Sequence, residues 1–194
     1  MIDQLIHIDH EVFYLINSGW KNALFDFFMP LWRNKYFWAP LYLFLIVFFF
    51  ANYNKYGWIM VLFAVITIVL SDQFSSGIMK PLFHRLRPCH NDFIDPINLM
   101  VRCGGKWSFT SSHATNHFAL GAFVSFMLYK PYRMILLWAF LWAASVSYAQ
   151  VYVGVHFPLD ILVGGSIGMM IGSLTANVCK KMVTRIYPDA PLKI

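Results

Sequence analysis

The sequence is poor in charge and in cysteine. Charged residues make up 12% of its 194 residues, and there are three cysteines. An ordinary soluble domain carries about 25% charged residues, and a small secreted scaffold built on disulfides needs a denser set of cysteines. Both classes are therefore excluded. A disordered chain is excluded as well, because 59% of the residues are hydrophobic.

Apolar and aromatic side chains are in excess instead. Aromatics reach 19% of the chain, with 19 Phe, 10 Tyr and 7 Trp, which is typical of lipid-facing walls and interfacial belts. The formal net charge is +6, but the basic residues are not gathered on one helix or tail, as nucleic-acid binding requires. The composition therefore predicts an integral membrane protein whose partners are the bilayer and its anionic lipids, with no nucleic acid.

Stretches without Asp, Glu, Lys or Arg indicate the membrane crossings. Because a helix crosses a bilayer in about 20 residues, we predict about five transmembrane helices. The stretches are 36–54, 56–71, 107–129, 134–159 and 161–179. Before them, residues 1–17 have an amphipathic pattern that predicts an interfacial helix, and the short apolar segment Leu24–Leu31 follows.

These elements predict an all-α integral membrane fold in one domain. We expect interfacial helices in 1–35, a transmembrane bundle in 36–182 and a tail in 183–194. The first 20 residues contain Asp3, Asp9 and Glu11 and have no basic start before an apolar core, so they are not expected to be a cleaved signal peptide.

Three polar clusters are expected to meet at one end of the bundle. Lys80 and Arg87 follow the second span, Ser111, Ser112 and His113 open the third, and Gln150, His156 and Asp160 join the fourth to the fifth. With Lys80, Arg85 and Arg87 set aside, the opposite end carries more Lys and Arg. The positive-inside rule then predicts an extracytoplasmic site.

The spacing of these residues resembles the three-part motif of the type 2 phosphatidic acid phosphatase family. That motif reads KxxxxxxRP, PSGH and SRxxxxxHxxxD, and the first part matches fully at Lys80, Arg87 and Pro88. The second part has Thr110 in place of Pro and Ser112 in place of Gly. The third has Ala149 in place of Ser and Gln150 in place of Arg.

The chemistry of these residues agrees with what the resemblance implies, which is hydrolysis of a lipid phosphate or pyrophosphate without metal or cofactor. Lys80 and Arg87 would balance phosphoryl charge, and Ser111 with the N–H groups of Ser112 would cradle the anion at a helix start. His156, held by Asp160 one helical turn on, is the expected nucleophile, so turnover would pass through a phosphohistidine. His113 is the expected general acid and base.

Two other functions stay open at this point. A lipid or anion transporter would use the same cations without cleaving, and Gln150 favours it because a neutral amide replaces a cation. A metal-dependent hydrolase would use His113, His117 and His156, with Asp160 as a fourth ligand.

Other features leave the substrate and the loop chemistry undecided. The small loops favour an isoprenoid diphosphate, with lipid A phosphate next and a phosphatidic acid-type lipid also within the family's range.

To compensate for Gln150, we expect Arg102 or Lys106 to reach over the phosphate. Cys89 and Cys103 are equally compatible with a disulfide and with two free thiols.

Overall fold

Helices form nearly all of the regular structure in the computed structural model, which describes residues 2–92, 94, 96–128 and 132–188. Within these residues the α-helices are α1 Ile2–Tyr14, α2 Ala23–Trp32, α3 Ala39–Tyr53, α4 Gly57–Asp72, α5 Lys80–Phe83, α6 Ser112–Leu128, α7 Ile135–Tyr152 and α8 Pro158–Ile186. A π-helical turn, Leu15–Gly19, continues α1, and another, Gln73–Met79, joins α4 to α5. The all-helical prediction is confirmed.

Three of the helical segments are long and apolar enough to cross a membrane. They are Gly57–Phe83, Ile135–Tyr152 and Pro158–Ile186. Helices α3 and α6, in the first and third predicted spans, have 15 and 17 residues. The count of five crossings and the interfacial position of α1 stay predictions.

The helix ends differ from the ends of the charge-free stretches. The stretch 107–129 becomes a helix only at Ser112, because Trp107 pairs with Leu86 in an antiparallel bridge. The stretch 134–159 leaves the helix after Tyr152, where Gly154 takes a φ of +83° and Pro158 begins the next helix. Lack of charge marks apolar surroundings but does not mark backbone geometry.

Close packing of α6 against α8 forms the centre of the bundle. Gly164, Gly168 and Gly172 recur every four residues on one face of α8. A Cβ on Gly168 would lie 2.3 Å from the carbonyl oxygen of Thr115, and one on Gly172 would lie 2.1 Å from that of Ala119. These glycines let the two backbones touch, as small residues do between membrane helices, and they bring the start of α6 beside the start of α8.

The loop 84–111 covers the same end of the bundle. Arg87 N–H donates to the Lys106 carbonyl oxygen at 3.2 Å, and Ser108 N–H donates to that of Arg85 at 2.8 Å. A disulfide joins Cys89 to Cys103, with their Cα atoms 5.9 Å apart. The alternative of two free thiols is therefore wrong, and the disulfide ties the two arms of the loop together.

The amino-terminal helices pack against the same end from the side. Phe13 of α1 is fully buried against Phe157, and α2 lies along α7. Most large apolar side chains of α1 and α2 are nevertheless exposed. Those of α1 are Ile2, Leu5, Ile6 and Ile8, and those of α2 are Leu24, Phe27, Phe28 and Leu31.

Candidate active site

His156 and Asp160 form a buried couple at the start of α8. His156 Nδ1 lies 3.3 Å from Asp160 Oδ2, and both side chains are inaccessible to solvent. Because the carboxylate oxygen accepts, Nδ1 donates and Nε2 keeps its lone pair. Burial lowers the pKa of His156 to about 4, so the imidazole is neutral at pH 7. A neutral, oriented imidazole with a free nitrogen is a competent nucleophile.

Asp160 is held by donors from three parts of the chain. The Phe157 N–H donates to Asp160 Oδ2 at 2.8 Å, and the Ser108 hydroxyl donates to the same oxygen. Arg85 donates from Nη1 to Oδ1 at 2.9 Å. With these partners the buried carboxylate stays ionised and fixed in place, so it can orient His156.

A second acid, Asp9 of α1, completes this network. It is buried and pairs with Nη2 of Arg85, and its other oxygen accepts from the Leu159 N–H at 2.8 Å. Arg85 thus bridges Asp9 to Asp160 and is neutralised by both. Neither Asp9 nor Ser108 was predicted to belong to this site. An acid within an amphipathic helix is the sequence signal for Asp9, but its partner Arg85 lies 76 residues away along the chain.

Lys80 and Arg87 approach the couple from the second span and the loop. Both are half-buried, and their charges act on the imidazole of His156. Burial lowers the pKa of Arg87. Its Nε is buried and has no hydrogen-bond partner among the described residues. Unlike Arg85, it has a buried N–H that is free to bind an anion.

Ser111 and Ser112 lie at the amino terminus of α6. Ser111 is fully buried; its N–H donates to the Asp160 carbonyl oxygen at 3.1 Å, and its hydroxyl accepts from the Ala114 N–H at 3.4 Å. Ser111 therefore caps α6, and its expected contact with the anion stays a prediction. The Ser112 hydroxyl lies 3.0 Å from that of Ser75. In the first turn of α6, the N–H groups of Ser112 and His113 have no acceptor within the helix.

His113 is close to the couple, whereas His117 belongs to the packing. His113 is close enough to His156 for the two imidazoles to influence each other electrostatically. His117 Nδ1 donates to the His113 carbonyl oxygen at 2.8 Å, and its Nε2 lies 3.3 Å from the Tyr42 hydroxyl. Both nitrogens of His117 thus have partners. Among the residues described, no three His, Cys, Asp or Glu side chains are placed to hold a metal ion, so the metal alternative has no ligand set there.

Gln150 is fully buried on α7 and contacts Arg33, which was not predicted to belong to the site. Arg33 donates from Nε to Gln150 Oε1 at 3.0 Å, and the charge of Arg33 acts on His113. Arg102 and Lys106, which were expected to compensate for Gln150, are exposed. Lys106 lies over the Trp107 ring, 5.0 Å from its centre. The structure therefore brings a different cation to this position.

A cavity of about 270 Å³ opens beside the first turn of α6. Its polar wall includes Ser112, His113 and Asp72. A smaller apolar cavity of about 80 Å³ shares the side chains of Tyr42 and Ile68 and continues between α3 and α4. The polar side chains beside α6 thus lie next to an apolar groove, which suits an amphiphile with an anionic head.

Asp72, a half-buried acid at the end of α4, contributes to this wall. Its Oδ1 accepts from the Asn116 amide at 3.0 Å, and Asn116 in turn accepts from the Ser71 hydroxyl at 2.7 Å. Asp72 is thus held by a polar network that links α4 to α6.

Comparison with known proteins places these residues in a family. Residues 57–184 match the profile of the PAP2 superfamily. The chain is 31% identical to a lipid A 4'-phosphatase of Bacteroides thetaiotaomicron, over 99% of this chain and 86% of that protein. It is 32% identical to an undecaprenyl-diphosphatase of Sulfolobus acidocaldarius, over 91% of this chain and 81% of that protein.

A solved structure gives the same result in three dimensions. The crystal structure of LpxE from Aquifex aeolicus resembles this chain with a TM-score of 0.65 and 28% identity. The match covers 86% of this chain and 93% of that one.

Proposed function

We propose, from the premise that this chain belongs to the PAP2 superfamily and is a phosphatase of membrane lipids, that it cleaves a lipid phosphomonoester through a phosphohistidine on His156. The observation that carries the proposal is the buried His156–Asp160 couple with Lys80 and Arg87 beside it. A transporter has no need of a nucleophile. The metal alternative lacks support because no three metal-ligating side chains converge among the described residues.

The first half of the reaction forms a covalent intermediate. His156 Nε2 attacks phosphorus, and the bond from phosphorus to the lipid oxygen breaks. His113, protonated when the phosphate anion is bound beside it, gives its proton to the leaving oxygen and becomes neutral. Lys80, Arg87 and the first N–H groups of α6 stabilise the charge on the phosphoryl oxygens. Asp160 stabilises the positive charge that develops on the imidazole, as the acid of a catalytic triad does.

The second half returns the enzyme to its starting state. His113, now neutral, takes a proton from a water molecule, and the resulting hydroxide attacks phosphorus. The bond to His156 Nε2 breaks, inorganic phosphate leaves, and His156 is neutral again. The low pKa of His156, about 4 because of burial, favours this release, since the neutral imidazole is a stable leaving group in the buried site.

The relatives support two candidates for the proposed substrate. The lipid A 4'-phosphatase, matched over nearly the whole chain, supports a phosphate monoester on a lipid A-type glycolipid. The undecaprenyl-diphosphatase supports a polyprenyl diphosphate, which the small loops favoured. We place lipid A first because the lipid A 4'-phosphatase is matched over 99% of this chain, and because the cavity beside Ser112 and His113, about 270 Å³, has room for more than a phosphate group.

Phosphate release from a panel of lipids tests this function. Purified enzyme in detergent should release inorganic phosphate fastest from lipid A, more slowly from a polyprenyl diphosphate, and at an unchanged rate in a chelator. A faster rate with the polyprenyl diphosphate would reverse the order. A chelator-dependent loss that zinc restores would contradict the metal-independent reaction.

The site is proposed to face the extracytoplasmic side of a bacterial inner membrane. The Cys89–Cys103 disulfide supports this, because disulfides persist in oxidising compartments. In intact cells, a membrane-impermeant thiol reagent should label Cys103 only after reduction. Labelling that requires permeabilised cells would place the loop in the cytoplasm.

A further inference from the structure

The third motif lacks its arginine at Gln150, yet a guanidinium is present at that position in space. Arg33 comes from the amino-terminal part of the chain, 117 residues before Gln150, and donates from Nε to its side-chain oxygen at 3.0 Å. This contact leaves the two Nη groups of Arg33 available for bidentate binding of an oxyanion.

Helix α2 holds Arg33 in place through contacts with α7. Asp26 accepts from the Tyr152 hydroxyl at 2.7 Å, and Trp32 donates from Nε1 to the Ser145 hydroxyl at 2.9 Å. Arg33 follows directly after Trp32 and ends the helix. The position of its side chain is therefore set by two anchors on the same helix that carries Gln150.

Unpartnered buried donors point to what this guanidinium is for. Gln150 has no accessible surface, and its Nε2 has no hydrogen-bond partner among the described residues; the same holds for Arg87 Nε. Buried N–H donors without an acceptor are costly. An anion with several oxygens would satisfy both donors at once.

The surrounding charges point the same way. Arg33 and Arg87 are close enough to repel each other, and that repulsion, after burial, lowers the pKa of Arg33. Asp160 is already paired with Arg85, and Asp72 accepts from Asn116. A phosphoryl group bound between Arg33 and Arg87 would turn this repulsion into attraction.

We propose that Arg33 supplies, from α2, the phosphate-binding guanidinium that the family motif has at position 150, and that Gln150 orients it while donating its own amide N–H to the same phosphoryl group. This rests on the proposed function. It makes Arg33 a catalytic residue outside the region 57–184 that matches the family profile.

Moving the arginine back to its motif position tests the proposal. In the full-length enzyme acting on lipid A in detergent, Arg33→Ala should lower kcat/KM roughly 10- to 100-fold, the usual range for a lost hydrogen bond to a charged group. The inhibition constant of inorganic phosphate should rise by a similar factor. Adding Gln150→Arg to Arg33→Ala should recover part of both losses.

One variant controls for a structural effect. Arg102→Ala removes an exposed arginine of the loop and should stay within about threefold of wild type. Arg33→Ala at the level of Arg102→Ala would overturn the proposal. A loss of kcat/KM that Gln150→Arg does not repair, together with an unchanged inhibition constant for phosphate, would also overturn it. Arg33 would then serve only to hold α2 in place.

The wild type separates this inference from the proposed function. If wild-type enzyme releases phosphate and His156→Ala does not, the phosphatase function stands, and the Arg33 result decides the inference alone. If the wild type releases no phosphate from any lipid of the panel, the proposed function and the inference fail together.

Discussion

The two sides of the active site are built in different ways. On one side, α6 and α8 touch through glycines and carry His113 and Asp160, with His156 just before α8, all within the region that matches the family profile. On the other side, α1 and α2 lie outside that region, expose most of their apolar side chains, and contribute Asp9 and Arg33.

On this account the reacting groups lie on one side of the site, and the groups that modulate the rate lie on the other. The α6–α8 side holds the proposed nucleophile and the proposed acid, whose positions tolerate little error, because small misplacements of reacting groups cost large factors in rate. The amino-terminal side adds the proposed anion-binding cation, Arg33, and the buried carboxylate of Asp9. We therefore expect changes within α6 and α8 to remove activity and changes in α1 or α2 to reduce it.

The largest effect is expected from adding one methyl group between α6 and α8. Gly168→Ala places a Cβ where the Thr115 carbonyl oxygen now lies, at 2.3 Å, so the helices must separate and Ser111 must move away from Asp160. We expect kcat to fall by about 100-fold or more and the melting temperature in detergent to drop, as overpacking costs about 1–3 kcal/mol.

Gly77→Ala is the matched control for this change. Its Cβ would meet only the flexible side chain of Gln73, at 3.3 Å, so activity and melting temperature should stay near the wild type. Equal behaviour of Gly168→Ala and Gly77→Ala would show that the α6–α8 contact does not set the site geometry.

A smaller effect is expected from weakening the amino-terminal side. Asp9→Asn keeps an acceptor for the Leu159 N–H but removes the charge that pairs with Arg85. Because Arg85 is partly exposed, we expect a loss of about 1 kcal/mol, hence a melting temperature lower by about 2–4 °C. We also expect kcat/KM to be reduced by roughly two- to tenfold.

The exposed acid Asp3 on the same helix provides the comparison. Asp3→Asn should leave both the melting temperature and kcat/KM unchanged. If Asp9→Asn matches Asp3→Asn in both measurements, the Asp9–Arg85 pair does not support the site, and the amino-terminal side contributes through Arg33 alone.

Much of the architecture could be predicted because membrane crossings are encoded locally. Low charge identified the regions of the helices, and the motif spacing identified the family, which the comparisons confirm. The ends were less accurate. For example, Trp107 has an apolar side chain but pairs with Leu86 in the loop, and nothing in a stretch of apolar residues distinguishes that from the start of a helix.

The two site residues that were not predicted escaped notice for one physical reason. Arg33 and Asp9 act through partners that are far away in sequence, at Gln150 and Arg85. Local pattern cannot identify such partners, since only the packing of α2 on α7 and of α1 on α8 brings them together. The same limit explains why Arg102 and Lys106, close to the motifs along the chain, were wrongly expected at Gln150.

The central claim is that the phosphoryl group passes through His156, and trapping that intermediate tests it most directly. Enzyme mixed with lipid substrate labelled in the phosphate and quenched within one turnover should carry a label that is stable in alkali and lost in acid, as expected for a phosphohistidine. Peptide mapping should place it on His156, and His156→Ala should take up none. Phosphate release by the wild type without any protein-bound label, or with the label on another residue, would contradict the account.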